Sequence, residues 1–102
     1  MITVSIGGEE RDLADVSERW VNSAINPVKS HGLPVCVRVL VSEPGLDLRL
    51  STPSCGSGGG VRLPNEAEAG VIDLWRRLGL NSPGFDGGNV VAFLKQLQRS
   101  YL

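Results

Sequence analysis

Residues 33–51 read LPVCVRVLVSEPGLDLRLS, and the fold follows from how this stretch turns back on itself. Pro44 supplies a fixed φ and Gly45 a permissive one, the order that a tight turn wants at its two central positions. With Glu43 opposite Leu46, Val41 faces Leu48 and Val39 faces Leu50. Val35, Val37, Val39, Val41, Leu48 and Leu50 then project to one side, and a slip of one residue would scatter them over both. The apolar pattern thus specifies the register. The opposite side carries Cys36, Arg38, Leu40, Ser42, Asp47, Arg49, Ser51 and Pro53. Continued alternation brings Cys55 to that side, diagonal to Cys36 at a spacing of roughly 7–8 Å.

Outward from this hairpin, the other elements declare themselves by period and punctuation. Ile2, Val4 and Ile6 alternate with Thr3 and Ser5, as in a half-buried strand, and Gly7-Gly8 leads into a short polar return strand, EERDL. Asp15 and Glu18 are spaced as a capping box ahead of Val16, Trp20, Ala24 and Val28, which recur at helical spacing. Pro27 is expected to end the regular helix near Ile25, with a looser turn running on to Gly32. Asn65 and Glu68 repeat the capping spacing before EAEAGVIDLWRRL, whose stripe is Val71, Leu74, Trp75 and Leu78. Gly79 followed by Leu80 reads as its C-terminal cap. A last helix from about Val90 sets Phe93, Leu94, Leu97 and Tyr101 inward and Lys95, Gln98 and Arg99 outward.

The order ββ-α-ββ-α-α predicts an α+β fold: a small antiparallel or mixed sheet of three or four strands, with three helices packed on one face. At 102 residues the chain fits a single domain, residues 1–102. Its 41% hydrophobic and 21% charged residues are those of a folded protein. A formal charge of −1 gives no general pull towards nucleic acid or anionic lipid. The opening residues show no secretory pattern, and no apolar run approaches the ~20 residues of a membrane span. The chain accordingly reads as cytoplasmic, with Cys36 and Cys55 as reduced thiols and a disulfide between them marginal in geometry.

The stretch STPSCGSGGG at residues 51–60 invites several chemistries. Cys55 as nucleophile with His31 as base needs a stabilised thiolate, and nothing in the sequence orients His31. Zinc held by Cys36, Cys55 and His31 lacks a fourth ligand and a close thiol pair, so no metal or cofactor is expected. A phosphate-binding loop requires a lysine after its last glycine, where Val61 stands. Arg38, Arg49, Arg62, Arg76, Arg77, Lys95 and Arg99 lack the interleaved aromatics of sheet-based RNA binders, so nucleic acid is not favoured. The main reading is a non-enzymatic accessory module that binds another protein, a second copy being one option, through the sheet face bearing Cys36, Arg38, Leu40 and Arg49. Phe85, in the glycine-rich loop SPGFDGG, is read either as a plug in the core or as a further anchor for the partner. The alternatives are a thiol-dependent enzyme or redox sensor centred on Cys55, and a binder of small anionic ligands at the glycine-rich loop.

Overall fold

The hairpin at Pro44-Gly45 forms in the register that its apolar residues specify. In the computed structural model, which describes residues 1–56, 63–82 and 84–102, Val39 pairs with Leu50, Val41 with Leu48 and Glu43 with Leu46. Gly45 takes φ +75°, the left-handed value that its turn position requires. The strands are β1 (Ile2–Ile6), β2 (Glu9–Asp12), β3 (Val37–Glu43) and β4 (Leu46–Ser51). They form one antiparallel sheet in the order β2-β1-β3-β4. The helices are α1 (Glu18–Ser30), α2 (Glu66–Arg77) and α3 (Gly87–Tyr101), with 3-10 turns over Leu13–Asp15 and Pro53–Cys55. The fold is therefore α+β, with the helices gathered on one side of the sheet.

Burial follows the predicted alternation. Val37, Val39 and Val41 are all but sealed from solvent, as are Ile2, Val4 and Ile6 on β1. They meet Trp20, Val21 and Ile25 of α1, Val71 and Trp75 of α2, and Val90, Phe93, Leu94 and Leu97 of α3 in one core. Trp75 and Phe93 pack edge to face with centroids 5.1 Å apart, the geometry that aromatic quadrupoles favour.

The helix ends show where local sequence was enough and where it was not. Asn65 and Glu68 make the expected capping box. At the far end of α2, Gly79 (φ +72°) donates to Arg76 O at 3.0 Å and Leu80 to Trp75 O at 3.2 Å, with Leu80 buried. That is the expected glycine cap with its apolar contact. The start of α1 departs from expectation. Its N-cap is Ser17, whose hydroxyl accepts from Trp20 N at 3.1 Å, while Asp15 closes the preceding 3-10 turn. Burying both Leu13 and Val16 takes up the residues between, so the helix begins later.

Pro27 does not end α1 either. The helix runs on to Ser30, because Pro27 lies on its exposed side, where the carbonyl deprived of a donor faces solvent. The buried stripe of α1 is Trp20, Val21 and Ile25, with Ala24 and Val28 only half covered. α3 begins at Gly87 rather than Val90, capped by Asp86. Two of its residues change sides: Tyr101 is exposed, and Gln98 turns inward to donate to Leu13 O at 2.9 Å and Val16 O at 2.8 Å. An amide one turn from the end of α3 thereby ties that helix to the 3-10 turn and to its cap residue.

Candidate functional site

The open side of the sheet is built from the alternate residues of all four strands. Reading across them, Asp12, Thr3, Leu40 and Arg49 form one outward row, and Glu10, Ser5, Arg38 and Ser51 form the next. Leu40 is 43% exposed, and Arg38 and Arg49 on either side of it are exposed as well. No helix covers this face among the described residues. Among those residues neither guanidinium has an ion-pair partner. Arg38 makes one long hydrogen bond, from Nη2 to Cys55 O at 3.4 Å.

Charge is unevenly spread over these two rows. The two arginines lie on β3 and β4, whereas Glu10 and Asp12 lie on β2 at the opposite edge. There Met1, Thr3, Glu10, Arg11, Asp12 and Asp15 line a shallow open hollow. The other side chains of β2 serve the helical side: Glu9 accepts from Trp20 Nε1 at 3.2 Å, and the Arg11 guanidinium sits 5.3 Å from the centre of the same ring. Thus β2 divides its charges by strand alternation, two residues clamping Trp20 and two facing outward.

At the arginine end of the hairpin stands the feature that the sequence pattern argued against. Cys36 and Cys55 are joined in a disulfide, with their Cα atoms 4.8 Å apart. The expectation of two reduced thiols, and of a bridge marginal in geometry, is corrected. Extended alternation put Cys55 on a diagonal, but residues 53–55 instead wind into a 3-10 turn. Such a turn advances about 2 Å per residue against about 3.3 Å in a strand, and so draws Cys55 in beside Cys36. Both cysteines lie in the bridge. While it is closed there is no thiolate, and a nucleophilic Cys55 has no reacting form.

Thr52 holds this turn in place, a role that strand alternation does not reveal. It is 1% exposed. Its hydroxyl accepts from Val37 N at 3.1 Å and lies 3.4 Å from Val35 O, while its own N–H donates to Val37 O at 3.0 Å. Ser54 Oγ also donates to Val35 O. Residues 35–37 are thus tied to the turn by hydroxyls where the regular ladder has ended. A threonine directly before proline was the available signal, since its hydroxyl can serve a turn that Pro53 cannot.

His31 is the exposed C-cap of α1, and among the described residues no hydrogen bond links it to Cys55. Nor does any group of three or more metal-ligating side chains gather among the described residues. Phe85 is 8% exposed and part of the core, so it plugs the loop inward and is no outward anchor. Of the glycine-rich segment only Cys55 and Gly56 are described. The rest of that loop, where anion binding is the alternative reading, lies outside the described residues, as does Arg62. No helix among the described residues is long and apolar enough to cross a membrane. Compared with protein-family models, curated proteins and solved structures, the chain shows no significant match.

Proposed function

We propose that this chain is a non-enzymatic interaction module that docks a protein partner on the open face of its sheet. One observation carries the reading. Leu40 stands exposed between two arginines that have no ion-pair partner among the described residues, on a face that no described helix covers. An exposed apolar group flanked by cations suits a partner that offers an apolar side chain ringed by carboxylates. Opposite potentials would steer the encounter, and burial of Leu40 would hold it. The disulfide supports the same use, because it braces the end of β3 and β4 from which Arg38 projects. It also favours an oxidising setting over the cytoplasm expected from the lack of a secretory pattern, since such bridges persist where thiols are not kept reduced.

Capture from an extract of the native source tests this reading. Arg38→Glu combined with Arg49→Glu should lower recovery of the captured partner at least about tenfold, since two attractive contacts become repulsive. Lys95→Glu on the helical side, where Lys95 pairs with exposed Glu18, should leave recovery unchanged. Equal recovery from all three proteins would remove the open face from consideration.

A further inference from the structure

We propose that the partner on this face is a second copy of the chain, packed sheet against sheet about a two-fold axis running along the strands between β1 and β3. The inference rests on the docking reading above and adds to it the identity and orientation of the occupant. The distribution of charge argues for it. Within the two rows that cross the whole sheet, acidic groups occupy only the β2 edge, and arginines only the β3–β4 half.

A two-fold axis along the strands reverses the order of strands and keeps the rows in line. The row Asp12–Thr3–Leu40–Arg49 of one copy then lies over Arg49–Leu40–Thr3–Asp12 of the other. Each Arg49 meets an Asp12, and each Leu40 meets the methyl group of a Thr3. A two-fold axis across the strands would instead stack like charge on like, so electrostatics selects one of the two arrangements. Aligned packing of two antiparallel sheets is itself a common solution. The area bears on affinity: four strands at ~4.8 Å spacing and about five residues in length give a face ~19 Å by ~17 Å. At ~320 Å² per copy that lies below the standard size of a specific interface, so the dimer is expected to be weak and reversible.

Sedimentation of the whole chain from micromolar to millimolar concentration should show this dimerisation at low ionic strength, with added salt weakening it. Asp12→Arg alone and Arg49→Asp alone each oppose like charges at two symmetric places, and each should weaken self-association about tenfold. Mixing the two variants gives a dimer in which every replaced group meets its opposite. Association should then return to within about threefold of the unaltered chain. Should Asp12→Arg lower the melting temperature, Asp12→Lys replaces it in the mixture and is read in the same way. A chain that stays monomeric throughout, or a mixture no stronger than either variant alone, overturns the proposal. If the chain is monomeric while the arginine variants still lose a captured partner, docking stands and only the second copy falls.

Discussion

Glu68→Ala is expected to destabilise the fold by about 3 kcal/mol, the range for stripping a buried polar group of its partners. Glu68 is fully buried, yet it lies in the first turn of α2. Its Oε1 accepts from Asn65 N at 2.9 Å and its Oε2 from Asp47 N, also at 2.9 Å. Alongside, Asn65 Nδ2 donates to Gly45 O at 2.7 Å. One carboxylate therefore caps α2 and fastens it to the outer edge of the β3–β4 hairpin. Alanine would leave two N–H donors without their acceptor and open a void beneath the turn, so the loss should exceed the ~1 kcal/mol typical of a cap alone. For a domain of this size that corresponds to a fall in melting temperature of about 15 °C. Urea unfolding of Glu68→Ala and Asn65→Ala checks the order. Asn65→Ala should be the milder, because Asp47 N keeps its acceptor, and a Glu68→Ala loss below about 1 kcal/mol would show that the carboxylate serves only as a cap.

Opening the Cys36–Cys55 bridge should cost a comparable amount. The two residues are 19 apart in sequence, and closing a loop of that length removes about 3 kcal/mol of chain entropy from the unfolded state. Reductant acting on the unaltered chain and the double substitution Cys36→Ala/Cys55→Ala should lower stability alike, since both release the same loop. Amide resonances of residues 35–38 and 52–56 should move, because Thr52 and Ser54 must then hold the turn by hydrogen bonds alone. Those of β2 should stay, as it pairs only with β1 among the described residues. A melting temperature unchanged by reductant, with thiol release confirmed by labelling, would show that the hydroxyls suffice. The bridge bears on function as well, because Arg38 donates to the carbonyl of Cys55. Loosening the turn frees one of the two arginines on the docking face.

The open face is legible in the sequence alone, since the placement of Arg38, Leu40 and Arg49 follows directly from where Val39 and Leu50 must point. Its acidic edge is not. The placement of Glu10 and Asp12 depends on β1 lying between β2 and β3, and strand order is not a local property. Gln98 shows the same limit at a single residue. A polar residue near the end of a helix looks outward by neighbourhood, and it turns inward to reach the carbonyls of Leu13 and Val16.

What the sequence by itself determined is whatever depends on neighbours a few positions away. The hairpin register follows from a period of two, the α2 caps from residues three apart, and the class of fold from the order of elements. Such features need only the geometry of one strand or helix. What only the tertiary structure decided is which distant groups come into reach: the sulfur of Cys55 beside that of Cys36, Glu68 beneath Asp47, and Ser17 in place of Asp15 as the start of α1. The reason is physical. Buried donors and apolar surface must all be matched at once, and the chain shifts a cap or winds a turn wherever that completes the match.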